Sequence, residues 1–244
     1  MLKAVLFDLD GTLLPMDQEE FVRRYLELLC RKMAPYGYEP QPLIKAIWDG
    51  TGAMVKNDGS CTNEEAFWRH FLGVYGESAR EHVPLFEEFY AVEFQQARDF
   101  CGFTPRAAEI LALVKERGLR PILATNPLFP AVATGSRARW AGLEPEDFAL
   151  ITTYENSRFC KPDPAYYREI LKGQNLLPEE CLMVGNDAEE DMIAESLGMR
   201  TFLLTDCLIN RRGTDITRWP HGGYEELRSY IESVTGSSGA STAE

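Results

Sequence analysis

Ala4-Val5-Leu6-Phe7-Asp8-Leu9-Asp10-Gly11-Thr12-Leu13-Leu14 is the stretch from which the rest of the chain is read. Its apolar run breaks off at two carboxylates. This is the pattern of a buried parallel strand whose carboxyl end opens into a polar crevice, where open α/β sheets bind ligands. Asp8 and Asp10 are one residue apart and, in extended chain, point the same way. At ~4 Å and an effective dielectric near 20 their repulsion is about 4 kcal/mol, so a hard cation or a shared proton is expected to offset it.

On the carboxyl side the pattern becomes helical. Asp17 with Glu20, followed by Phe21, Tyr25, Leu28 and Leu29, predicts a helix from about Asp17 to Met33. Further helices are expected around Leu43–Trp48, after the cap at Thr62 or Asn63, and after Pro84. Asp49-Gly50-Thr51-Gly52, running on to Asn57, is expected as a loop. Nothing between residues 16 and 100 alternates with period two, so this stretch is expected to be an all-helical lobe inserted after the first strand.

From Thr104 helices and short apolar runs alternate, the signature of a parallel sheet with crossover helices. Strands are expected at Pro121–Ala124, Phe148–Thr152, Cys181–Val184 and Thr201–Leu204, with a last helix carrying Leu227, Tyr230, Ile231 and Val234. The expected fold class is α/β, a Rossmann-like parallel core with an inserted helical cap. Residues 1–15 and 101–235 would form the core, 16–100 the cap, and 236–244, small and polar throughout, a disordered tail.

The expected strand ends carry the polar groups. Thr125-Asn126 offers a hydroxyl and an amide that can serve phosphoryl oxygens without adding charge. Lys161 lies in Cys160-Lys161-Pro162-Asp163-Pro164, where two prolines restrict the backbone around it. Asp187 and Asp191 follow Gly185-Asn186 at i, i+4 spacing, a like-charge pair that stability alone would not select, and Asp187 with Glu190 reads as a capping box for a helix ending at Gly198. With Asp8 and Asp10 they form a hard, oxygen-rich set suited to Mg2+.

In this order the four motifs resemble those of the haloacid dehalogenase-like (HAD) phosphatases, Asp8-Leu9-Asp10-Gly11-Thr12 being the first. The resemblance implies Asp8 as nucleophile, Asp10 as general acid and base, and Thr125 and Lys161 as catalytic partners. Phosphate would be bound by Thr125, Asn126, Lys161 and Gly11, and Mg2+ by Asp8, Asp10 and Asp187, with Asp191 as alternative or outer ligand. The implied activity is hydrolysis of a small phosphate monoester, a phosphometabolite, through an aspartyl-phosphate. A sugar-phosphate mutase is the alternative within the family, and a non-catalytic binding protein the alternative outside it. Enzymes of this resemblance carry a helical cap at this position, and Lys56 and Asn57 in the glycine-containing loop are the expected cap contacts to substrate.

Composition sets outer bounds. Thirty-eight acids against 25 bases, a formal charge of -13, argue against nucleic acid or an anionic membrane as partner. The six cysteines are scattered without a CxxC pair, and the three histidines show no metal spacing. The first apolar run is too short for a signal peptide or a membrane span. A cytoplasmic protein, monomeric or weakly dimeric, is expected.

Overall fold

The computed structural model describes residues 1–236; the tail predicted to be disordered lies, beyond Gly236, outside the described residues. Five parallel strands form one sheet in the order β2-β1-β3-β4-β5. They are β1 (Ala4–Phe7), β2 (Arg120–Leu123), β3 (Cys181–Gly185), β4 (Arg200–Leu204) and β5 (His221–Gly222). Phe7 is level with Leu123 on one side and Val184 on the other. The residues that follow these three strands therefore leave the sheet along one edge, which brings Asp8, Thr125 and Asp187 together.

Alternation along β1 sends its side chains to opposite faces. Val5 and Phe7 join a cluster with Ile110 of α5 (Arg106–Glu116) and Leu227 of α8 (Tyr224–Thr235). Ala4 and Leu6 pack with Tyr166, Tyr167 and Ile170 of α7 (Pro164–Gln174). All four strand residues are fully buried, so helices cover both faces, as an all-parallel sheet requires.

Between β1 and α5 the chain is helical: α1 (Gln18–Met33), α2 (Pro40–Val55), α3 (Asn63–Tyr75) and α4 (Val83–Ala91), joined by 3-10 turns. Met16 and Cys101 form an antiparallel bridge, and Gly102 N–H donates to the Pro15 carbonyl at 2.6 Å. The chain thus enters and leaves this block side by side. No helix among the described residues is long and apolar enough to cross a membrane.

Three expectations are corrected. Phe148–Thr152 is not a strand; it touches β2 through a single parallel bridge, Leu123 with Ile151. Pro121 supplies the reason, since it accepts from Ala149 N–H but has no N–H to return, which stops the ladder. The stretch predicted as a glycine loop, from Asp49, is helical through Val55. Gly50 serves close packing there, because a Cβ would lie 2.7 Å from the Phe67 ring. Finally, the helix expected from Asp187 to Gly198 is a 3-10 segment over Met192–Leu197.

Candidate active site

β1 ends at Phe7, so Asp8 and Asp10 sit in the turn beyond it, each with a different partner. Asp8 Oδ1 accepts from Lys161 Nζ at 2.9 Å and Asp8 Oδ2 from the Thr12 hydroxyl at 3.1 Å. Asp10 is ion-paired to Arg137 of α6 (Ala131–Trp140). Each acid therefore has its own protein cation, and the repulsion expected between them is offset from within the chain.

Lys161 is nearly fully buried and also donates to Asp191 Oδ1 at 2.6 Å. Burial works against its charge, but the Asp191 and Asp8 carboxylates outweigh burial and hold the ammonium well above the ordinary lysine range. Asp191 Oδ2 in turn accepts from Asp187 N–H at 3.0 Å. Asp187 Oδ1 accepts from Glu189 and Glu190 N–H at 2.7 and 2.9 Å, which makes Asp187 a cap for the turn it begins.

Gly11 has φ +85°, and a Cβ on it would fall 2.3 Å from Asn186 Nδ2. Only glycine fits. Its N–H, however, donates to the Leu14 carbonyl at 2.8 Å, so the phosphate contact expected of Gly11 is not available from that group. The backbone N–H groups of Leu9, Asp10 and Asn126 donate no hydrogen bond within the described residues.

Above Asp10, Thr125 and Asn126 lies a cavity of about 750 Å³ between α1, α2 and the segment after β2. Thr125 is buried, with its carbonyl fixed by Thr152 and Tyr166 hydroxyls at 2.7 and 2.9 Å. Asn126 Oδ1 accepts from Lys161 N–H at 3.2 Å, tying the second expected motif to the third. Lys56 and Asn57 do not line this cavity. Lys56 is exposed and lines a separate groove on the helical block, with Arg69 and His70. Asn57 Nδ2 instead donates to Asn63 Oδ1 at 2.9 Å. The Asn63 amide, fully buried, reaches the Pro127 and Phe159 carbonyls at 3.3 and 3.4 Å, docking α3 against the segments that carry Asn126 and Lys161.

Two site residues were not anticipated. Arg137 is fully buried, stacks its guanidinium 4.3 Å from the Phe129 ring centre and donates to Thr134 at 3.3 Å. The available signal was an arginine within the small-residue face Ala133, Thr134 and Ala138 of the helix after Thr125. Lysine cannot make the ion pair, the stack and the Thr134 contact together. Arg137→Lys is thus expected to lower unfolding free energy by about 1–2 kcal/mol in a denaturant titration, and no change would show the extra contacts to be idle.

The second is Glu190, which lines the cavity and accepts from Asn126 Nδ2 at 3.0 Å. Burial pushes its carboxyl up to about 7; Lys161 opposes the rise and Asp187 adds to it. The protonated form is thus the one favoured on folding. Its stabilisation is complete below the unfolded value of 4.5 and is lost as pH rises through about 7. In EDTA, Glu190→Gln should match wild type near pH 4.5 and exceed it in stability above pH 7, and parallel stability-against-pH curves would contradict this.

The acids present suit Mg2+ chemically. Asp10 Oδ1 is buried without a partner, and Asp187 Oδ2 has none among the described residues. No trio of His, Cys, Asp or Glu side chains converges on one point among the described residues. Mg2+ keeps several waters and takes one or two carboxylates, so it does not need such a trio.

Comparison with known proteins bears on the family and the fold. The profile of the haloacid dehalogenase-like hydrolases matches residues 2–194. Phosphoglycolate phosphatase 1 of Pseudomonas aeruginosa is 26% identical over 215 residues, covering 83% of this chain and 69% of its own. Glyceraldehyde 3-phosphate phosphatase of Methanothermobacter thermautotrophicus is 25% identical over 235 residues, covering 89% and 95%. The fold is also that of CbbY from Rhodobacter sphaeroides, solved in complex with phosphate, at a TM-score of 0.58, 20% identity and coverage of 93% and 99%. The fold is a parallel α/β core with an acid-lysine cluster beyond its strand ends. The chain belongs to the haloacid dehalogenase-like hydrolase family.

Proposed function

We propose that the chain is a Mg2+-dependent phosphatase of small phosphorylated metabolites, with Asp8 as nucleophile. The observation that carries this reading is Lys161, buried between Asp8 and Asp191 beside a cavity floored by Asp10, Thr125 and Asn126. A carboxylate is ionised near neutrality and attacks without a base, provided its charge and the phosphoryl charge are both compensated. Lys161 supplies one such charge, and the free N–H groups of Leu9, Asp10 and Asn126 supply partial charges for the phosphoryl oxygens.

In the first step an Asp8 oxygen bonds to phosphorus while the bond from phosphorus to the ester oxygen breaks, and the Asp10 carboxyl gives its proton to the departing alkoxide. In the second, a water loses its proton to Asp10 and bonds to phosphorus while the bond from phosphorus to the Asp8 oxygen breaks, which frees phosphate and regenerates the Asp8 carboxylate. Burial raises the Asp10 carboxyl, Arg137 opposes that rise and Asp8 adds to it, which suits an acid that must hold a proton. One or two carboxylates among Asp8, Asp10 and Asp187, with Asp191 as the alternative, would hold Mg2+, and the chemistry supplied by the bound ion would be charge neutralisation at the phosphoryl group.

We also infer that residues 16–100 act as a cap on a core formed by 1–15 and 101–235, which the adjacent crossings at Met16 and Cys101 support. A cytoplasmic setting is consistent with six unpaired cysteines. Hydrolysis of p-nitrophenyl phosphate is expected in Mg2+ and should vanish in EDTA or when Ca2+ replaces Mg2+, because Ca2+ tolerates bidentate binding that would occupy the Asp8 oxygens. Equal turnover in chelator would refute the metal assignment.

A further inference from the structure

The cavity over Asp10 is larger and more apolar than a two- or three-carbon phosphate ester needs. Its walls are Phe21, Tyr25 and Leu26 from α1, Trp48 from α2, and Leu128 and Phe129 after β2. At about 750 Å³ it falls in the range that holds drug-sized ligands. Phe129 is braced edge-on by Tyr25 at 5.4 Å and from beneath by the Arg137 guanidinium, so the wall is rigid. Trp48, in contrast, is 52% exposed although it is a large apolar side chain lining the cavity.

Three polar side chains in these walls are already engaged. Gln18 Nε2 donates to the Asp10 carbonyl at 3.1 Å, Thr51 Oγ1 to the Ile47 carbonyl at 2.9 Å, and Arg23 is bound by Glu20 and Glu27. The Tyr25 hydroxyl in the wall, the Thr125 hydroxyl at the floor, and Glu19 and Arg211 on the exposed rim have no side-chain partner among the described residues. A sugar or polyol seated here would bury hydroxyls against apolar surface without partners, which disfavours it. A flat apolar group instead meets aromatic faces and displaces water from them.

Resting on the phosphatase reading, we propose that the leaving group is a bulky aromatic alcohol, stacked against Trp48 and Phe129 while its phosphoryl group reaches Asp8. The test compares kcat/KM in Mg2+ for naphthylmethyl phosphate, glycerol phosphate and phosphoglycolate. Naphthylmethyl phosphate is an alkyl ester like glycerol phosphate, so leaving-group acidity does not decide between those two. It is expected to exceed both small esters by about 100-fold, and Trp48→Ala to lower its kcat/KM by about 10-fold while moving glycerol phosphate by less than about 2-fold. Trp48 is half exposed, so its loss leaves the fold intact. Small esters turned over as well or better, or an equal response of both to Trp48→Ala, would overturn the aromatic assignment and leave the phosphatase reading standing. No hydrolysis of any of the three, nor of p-nitrophenyl phosphate, would overturn both.

Discussion

Replacing Asp8 by Asn is expected to lower turnover by on the order of 10^4-fold or more, about 5 kcal/mol in activation free energy, with the fold unchanged. The amide lacks the charge and nucleophilicity to bond to phosphorus. Its hydrogen bonds, however, can all be kept. Oδ1 can still accept from Lys161 Nζ, and the new Nδ2 can donate to the Thr12 hydroxyl, whose proton then turns wholly to Asn186 Oδ1, 3.0 Å away. Lys161 also retains Asp191 as counter-ion. Stability in denaturant should therefore shift by less than about 1 kcal/mol. A folded Asp8→Asn protein with turnover within tenfold of wild type would remove Asp8 from the nucleophile's role.

Lys161→Ala is expected to damage both stability and activity. The side chain is about 1% exposed and neutralises two carboxylates, that of Asp191 also about 1% exposed. Truncation leaves a buried charge without its partner, a loss of about 3–5 kcal/mol. Protonation of Asp191, which burial already pushes upward, would relieve part of this at low pH. The destabilisation should accordingly shrink on acidification, and hydrolysis should be undetectable even where the variant is folded. An unfolding free energy within about 1 kcal/mol of wild type at neutral pH would show that the buried cluster is not held together by this lysine.

Much of this arrangement is legible in the sequence because local chemistry and tertiary role agree. The run Ala4–Phe7 is apolar at every position and lies inside the sheet between β2 and β3, where both faces are covered. A cap at Thr62 or Asn63 signals a helix start, and Thr62 forms it, reciprocally with Glu65. Thr125 and Asp187 read as polar groups after apolar runs, and strand ends in register place both beside Asp8; Lys161 reads as a lysine in restricted backbone and reaches Asp8 through its Nζ from the loop before α7.

What was not legible depends on partners distant in sequence. Pro121 reads as an acceptable strand residue until its lost N–H faces Ala149. Gly50 and Gly52 read as loop residues, but Phe67 on the neighbouring helix explains Gly50 within α2. The Asp187 and Glu190 spacing suggested a reciprocal cap, yet only half of it forms. Asp187 N–H goes to Asp191, which frees the Glu190 carboxylate to reach Asn126 and the cavity. Arg137 is 127 residues from Asp10, and no spacing rule connects them. Lys56 looked functional because it stood among glycines in an expected loop; extension of α2 through Val55 places it outside the cavity over Asp10.

The central claim is that Asp8 carries the phosphoryl group. It is tested most directly by quenching the enzyme in acid during turnover of p-nitrophenyl phosphate, reducing with borohydride and sequencing the peptides by mass spectrometry. Reduction of an aspartyl-phosphate yields homoserine. Homoserine at position 8, dependent on substrate and absent from Asp8→Asn, is the predicted result; rapid turnover with Asp8 unmodified, or with homoserine at Asp10, Asp187 or Asp191 instead, would contradict it.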